Sequence, residues 1–261
     1  MPEWIIKRKK VIKMLSYSYF ADYYDNLTNN VNYKAYAEYI IKLCKQYNHD
    51  MNITLDLACG TGSLTVLLKQ MGVDIYGIDA SAEMLSVAQE KALDADINGM
   101  LFLKQKMQNL DLYGTIDTCI CTLDSINHIT NIDDVQKAFE KVSFFMNPKA
   151  LFIFDVNTMY KHKEVLGNNT FVYDTEQVFC VWQNMLHKDG VTVEIMLDFF
   201  ENLDGMYRRY SENFREKAYS HNQICSMLEK AGFKLLDVFG EMTFETPKAD
   251  SQRNIYIAEK I

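Results

Sequence analysis

Between positions 53 and 156 the chain alternates short apolar runs with stretches whose apolar residues fall at helical spacing, and the rhythm repeats five times. Residues 53–57, 75–78, 100–103, 118–123 and 151–156 read as strands. Leu64, Leu67, Leu68 and Met71 mark a helix closed by Gly72, residues 82–92 a second helix, and Val135, Ala138, Phe139, Val142 and Phe145 a third. Such alternation leaves few ways to fold. Parallel strands need long crossovers, the crossovers are right-handed, and the helices cover the sheet. The expectation is an α/β fold with its ligand at the carboxyl ends of the strands.

After Val156 the period changes. Val191, Val193, Ile195, Leu197 and Phe199 alternate with Thr192, Glu194, Met196, Asp198 and Phe200, the period of two of a half-buried antiparallel strand. Asp189-Gly190 and Asp204-Gly205 are hairpin signals on either side, so residues 178–214 read as a three-stranded meander. Ser220 then caps a helix that Gly232 ends, and strands at 233–239 and 254–258 are too close together for a crossover helix, so they pair antiparallel. Upstream, Tyr36, Tyr39, Ile40, Leu43 and Cys44 predict an amphipathic helix over 33–47.

The 27 basic and 35 acidic residues give a net charge of −8, the wrong sign for a chain that neutralises phosphates, so nucleic acid is disfavoured; the basic run Lys7 to Lys10 reads as a solvated helix face. No apolar run is long enough for a bilayer and none at the start suits a signal peptide, which predicts a cytoplasmic protein without membrane contact. The 6 cysteines show neither C-x-x-C nor metal spacing, so they read as reduced thiols and no metal is expected.

The chemistry sits in Leu55-Asp56-Leu57-Ala58-Cys59-Gly60-Thr61-Gly62-Ser63, a turn between the first strand and its helix. Gly60 and Gly62 let the backbone approach a ligand, and the helix start offers free N–H groups. Asp79 closes the next strand, where an acid accepts from the ribose hydroxyls of an adenosine. A dinucleotide fingerprint would need a third glycine where Thr65 stands. Asp56, ahead of the glycines, repels a pyrophosphate but suits the cationic amino group of S-adenosylmethionine.

With Gly77-Ile78-Asp79-Ala80-Ser81-Ala82-Glu83-Met84-Leu85, the motif resembles the class I S-adenosylmethionine-dependent methyltransferases. The likeness is closest to small bacterial members with Cys-x-x-Asp-Ser-x-Asn after the fourth strand, here Cys121 to Asn127, and the layout is similar to amino-sugar N-methyltransferases. It implies a Rossmann-like seven-stranded sheet with an antiparallel final pair in 51–160 and 218–261. An N-terminal helical cover would occupy 1–50 and an inserted antiparallel β subdomain 161–217, serving as lid, acceptor wall or homodimer face. By the same resemblance Ala58, Gly60 and Gly62 would line the methionine portion of S-adenosylmethionine, Asp79 the ribose, and Ala80 and Met84 the adenine. Leu123 and Asp124 would form the cleft floor, and Tyr24 and Tyr33, with the upstream segment 20–25, would cover the cofactor. One departure stands out: relatives place an Asp after the third strand to accept from the adenine amino group, whereas this chain has Lys106-Met107. A lysine accepts no hydrogen bond, which leaves Gln105, Gln108 or the backbone of Met107.

Methyl transfer from a sulfonium needs positioning and desolvation, and a base only to free the nucleophile's lone pair. His128 is the candidate base, with Asp124, Tyr173 and His187 behind it. The reading is transfer to a small polar acceptor at nitrogen, oxygen or carbon; the rivals are an RNA methyltransferase and a non-catalytic S-adenosylmethionine sensor.

Overall fold

The computed structural model describes residues 31–175, 178–203 and 205–261; Tyr24, the segment 20–25, the basic run 7–10 and Asp204 lie outside them. Helix α1 (Tyr33–Gln46) starts where the Asn32 side chain accepts from Ala35 N–H, and it buries the apolar face expected of it, Tyr36, Tyr39, Ile40, Leu43 and Cys44 included. Then follow β1 (Ile53–Leu57), α2 (Ser63–Gln70), β2 (Asp74–Asp79), α3 (Ala82–Asp94), β3 (Phe102–Lys104), β4 (Ile116–Cys121), α4 (Ile132–Phe145) and β5 (Met146–Asn157). A wide helical turn (Lys161–Leu166) leads into β6 (Thr170–Asp174), β7 (Val178–Leu186), β8 (Thr192–Leu203) and β9 (Met206–Lys217). Helix α5 (His221–Lys230), opened by a Ser220–Gln223 capping box, and strands β10 (Phe233–Gly240) and β11 (Arg253–Lys260) complete the chain.

The main sheet has 7 strands in the order β10-β11-β5-β4-β1-β2-β3. Only β11 runs against its neighbours, pairing antiparallel with both β5 and β10. Alternate residues feed two cores. Phe152, Phe154 and Val156 of β5 pack with α4 and α5, while Leu151 and Ile153 pack with α1 and α2. The strand order reverses beside β1, which opens a crevice at its carboxyl end.

The insertion is a second sheet of 4 strands, β6-β7-β8-β9, where a three-stranded meander was expected. The extra strand, β6, has only 5 residues, too few for a periodic signal; its pairing with β7 defines it. Val193, Ile195, Leu197 and Phe199 occupy the inner face of β8 as the period of two requires. Boundaries in the main sheet also moved: β3 begins at Phe102 rather than Met100, β5 begins at Met146 rather than Leu151, and β4 runs from Ile116 and ends at Cys121 because Leu123 and Asp124 both take positive φ of 57°. All 6 cysteines are unpaired, and no helix among the described residues is long and apolar enough to cross a membrane.

Candidate active site

A cavity of about 890 Å³ opens at the carboxyl ends of β1, β2, β3 and β4, and the inner face of the inserted sheet forms its far wall. Ala58, Gly60, Asp79, Ala80, Met84, Lys106, Met107, Leu123, Asp124 and His128 border it, so ten of the residues singled out from sequence converge on one space. Tyr33, Asp56 and Gly62 do not border it. Tyr33 packs on the core under α1.

The first turn is held in shape by Asp79, whose two carboxylate oxygens accept from Gly60 N–H at 2.9 Å and Ser81 N–H at 2.8 Å. Burial raises its pKa, and those backbone donors oppose the rise. Gly60 has φ of +54° and open space where a Cβ would stand, so its carbon faces the cavity; a Cβ on Gly62 would strike Ala88 Cβ at 2.7 Å. Gly60 therefore serves ligand approach, and Gly62 serves the contact between α2 and α3. Asp56 lies beneath the turn, wholly enclosed, and accepts from Thr65 Oγ at 2.6 Å; burial pushes its carboxyl up to about 7. Lys91, absent from the sequence reading, pins the same turn by donating to Thr61 Oγ1 at 2.8 Å and Ser63 Oγ at 2.7 Å.

The floor is a strained turn after β4. Asp155 of β5, 1% exposed, accepts from both Leu123 N–H and Asp124 N–H at 2.7 Å, which holds two non-glycine residues in the left-handed region. Arg253 at the head of β11 balances the charge, 2.5 Å from Asp124 Oδ1 and 3.6 Å from Asp155 Oδ1. Burial opposes ionisation of Asp124, but Arg253, Lys161 and His128 outweigh it and hold its pKa below the usual value. Neither Asp155 nor Arg253 was singled out beforehand. A carboxylate inside the apolar run 151–156 was the available signal for the first; nothing local marked the second.

His128 stacks on Phe214 with centroids 5.0 Å apart and brings Nε2 to 3.7 Å from Glu216 Oε1. Desolvation lowers the His128 pKa, against the pull of Asp124 and Asp79, while about half of the side chain stays open to the cavity. Glu216 comes from β9, and burial together with the Asp124 charge pushes its pKa well above the carboxylate range. Phe171, Tyr173, Trp182 and Leu197 share its face and finish the far wall. His187 stands elsewhere, paired with Glu194 at 3.2 Å, and does not back His128. Gln105 has its amide clasped by the backbone of Asp111, accepting and donating at 2.8 Å, which leaves Gln108 as the amide that also borders the cavity near Lys106.

An acid on the second strand, an open glycine on the first turn and a carboxylate beneath it suit an adenosine that carries a cationic amino acid. Residues 54–149 match the methyltransferase-domain family. A methyltransferase of Geobacillus sp. (strain WCH70) is 31% identical over 94% of this chain and 100% of its own length. A glycine/sarcosine N-methyltransferase of Halorhodospira halochloris is 25% identical over 92% of this chain and 87% of its own. Among solved structures, an S-adenosylmethionine-dependent methyltransferase from Clostridium acetobutylicum ATCC 824 superposes with a TM-score of 0.85 at 34% identity, covering 94% of this chain and 98% of that one.

Proposed function

The chain belongs to the class I S-adenosylmethionine-dependent methyltransferases, and from that premise we propose that it methylates a small polar acceptor and releases S-adenosylhomocysteine. The observation that carries this reading is the single cavity shared by the cofactor residues and the inserted sheet. Its volume lies at the upper end of the roughly 300–1,000 Å³ of small-molecule sites, which suits a nucleoside cofactor and a compact second ligand. S-adenosylmethionine supplies a methyl group on a sulfonium. The residues of this chain place the acceptor in line with that group and keep water out.

Nitrogen is the acceptor atom we favour, because the far wall presents Glu212 and Glu216 rather than a basic rim, and a glycine/sarcosine N-methyltransferase is among the relatives. The same wall speaks against an RNA acceptor, which would ask for Lys and Arg there. Asp79, Ala80, Met84 and Met107 are assigned to the nucleoside, Ala58, Gly60, Leu123 and Asp124 to the methionine end, and His128 to the acceptor side. The inserted sheet is assigned to acceptor binding.

Calorimetry and an acceptor screen with methyl-labelled cofactor test the reading. S-adenosylhomocysteine at 100 times its Kd should stabilise the fold by about 2.7 kcal/mol. In a chain this long that is roughly 5–10 °C in Tm, with no shift from NAD. Binding of the cofactor without product from any acceptor would mark a sensor instead.

A further inference from the structure

Glu216 reaches the cavity from an element that holds no part of the cofactor cradle, yet it is locked to the main sheet. Its Oε2 accepts from Asn157 Nδ2 at 3.1 Å. Asn127 donates through Nδ2 to Lys217 carbonyl at 2.9 Å and accepts from Asn157 N–H at 2.9 Å, so the end of β9 cannot shift without breaking buried bonds. A carboxylate oxygen of Asp124, a ring nitrogen of His128 and a carboxylate oxygen of Glu216 lie within 4.8 Å of one another. We propose that Glu216 receives the proton of a cationic amine, so that the acceptor of this enzyme is a small primary or secondary amine that binds as its ammonium. The proposal rests on the methyl-transfer reading above and adds the acceptor's charge state and the proton's destination.

Charge and shape around Glu216 carry it. Of the cations that border the space, Arg253 is paired with Asp124 and Asp155, Lys161 donates to Asn157 Oδ1 at 2.9 Å, and Lys106 follows β3 on the main sheet. His162, fully buried on the wide turn, aims an unpartnered Nε2 at Glu216 Oε2 from 3.8 Å, with its Nδ1 at 2.8 Å from the Val191 carbonyl. Acidic side chains along the space, Asp79, Asp124, Asp134, Glu212 and Glu216, outnumber the bases Lys106, Lys161 and Arg253, which favours a cationic ligand. Aromatic faces line it as well. Phe214 stands two residues before Glu216, and Trp182 is framed by Phe171 at 5.9 Å and Tyr173 at 6.2 Å, surfaces that attract an ammonium. A neutral hydroxyl would donate a hydrogen bond to these carboxylates but gain neither the charge attraction nor the cation–π contact.

The proton account balances. Glu216 takes one proton from R–NH3+, and the freed nitrogen lone pair forms the N–CH3 bond as the S–CH3 bond breaks with its electron pair left on sulfur. The product departs as R–NH2+–CH3. The proton on Glu216 then returns to solvent by way of the His128 imidazole, 3.7 Å off and half open to the cavity. Burial beside Asp124, tempered by Lys161 and Arg253, raises the Glu216 pKa to about 8, so the carboxyl holds its proton in the ligand-free protein at pH 7 and ionises when an ammonium binds beside it, the state in which it takes the amine's proton.

The full chain is assayed with methyl-labelled S-adenosylmethionine and matched acceptors: glycine with glycolate, glucosamine with glucose, benzylamine with benzyl alcohol. Product should form from at least one amine and from none of the alcohols. Glu216→Gln, which keeps the bond to Asn157, should lower kcat about 30-fold or more at pH 7. It should leave the Kd of S-adenosylhomocysteine within about twofold and recover most of the deficit at pH 10, where the amine arrives neutral. Should that variant fold poorly, calorimetry on the wild-type S-adenosylhomocysteine complex decides: the productive amine should bind at least about tenfold tighter than its alcohol, and equal affinity overturns the proposal. It is equally overturned by a methylated alcohol, by no amine serving as acceptor, or by an unchanged kcat and pH profile in Glu216→Gln. Activity abolished by chelation and restored by a divalent ion would overturn it too, giving the Asp124, His128 and Glu216 cluster to a metal. Failure to bind S-adenosylhomocysteine at all would instead defeat the methyl-transfer reading.

Discussion

Arg253 Nη2 stands 2.5 Å from Asp124 Oδ1, which ties the first residue of β11 to the strained turn that follows β4. The two strands are not neighbours; β5 lies between them, and its Asp155 completes the cluster from below. The antiparallel return of the chain thus delivers a cation to the cofactor end of a parallel sheet. Tyr36 of α1 joins from the other side, 3.4 Å from both Asp155 Oδ2 and Arg253 Nη1.

Removal of that cation leaves two buried carboxylates without a counter-charge. Arg253→Met should cost about 3–5 kcal/mol of stability, the loss expected when one member of a buried ionic group is deleted. Urea denaturation measures it; a loss under about 1 kcal/mol would mean that Asp124 and Asp155 are compensated otherwise.

Asp79→Ala removes the acceptor that organises Gly60 and Ser81 and that we assign to the ribose. S-adenosylhomocysteine binding should weaken by about 1.5–3 kcal/mol while the fold persists. Titration calorimetry with circular dichroism separates the two effects, and an unchanged Kd would place Asp79 outside the cofactor site.

Lys106 borders the cavity just after β3, where the sequence resemblance leads one to expect an aspartate. Lys106→Asp should leave S-adenosylhomocysteine binding equal or tighter, because it restores an acceptor for the adenine amino group. A Kd raised about tenfold or more would assign Lys106 a contact of its own.

Asp56 makes the ligand-free protein sensitive to pH. Its folded pKa of about 7 lies above the unfolded value, so the folded state binds a proton that the unfolded state has lost. Stability from this group therefore falls as pH rises from the ordinary carboxylate range toward 7, by at most about 1.4 kcal/mol per pH unit. Burial of Asp79 and Glu216 adds the same sign. His49, His128 and His162, with lowered pKa values, add the opposite slope in both proteins, so the test is the difference: between pH 5 and pH 8 the denaturation midpoint of Asp56→Asn, which still accepts from Thr65, should fall less or rise more than that of the wild type. Parallel slopes in the two proteins would show that Asp56 titrates normally.

What the sequence by itself determined was whatever depends on near neighbours. Periodicity located the strands and helices, glycines with positive φ closed α2 and α5 at Gly72 and Gly232, and the G-x-G turn with Asp79 marked the cofactor cradle. These signals are local because hydrogen bonding and side-chain direction repeat every two or 3.6 residues. The end of β4 was misplaced for the opposite reason: Leu123 looks like strand, and only the carboxylate of Asp155, 32 residues away, pulls it into a left-handed turn. Tertiary structure alone gathered Asp155, Glu216 and Arg253 around Asp124 and His128. It also removed Gly62 from the ligand's surface, sent His187 to Glu194, and turned the inner face of the inserted sheet toward the cofactor residues. Each of those outcomes rests on burial and charge compensation between distant segments, and neither leaves a periodic trace along the chain.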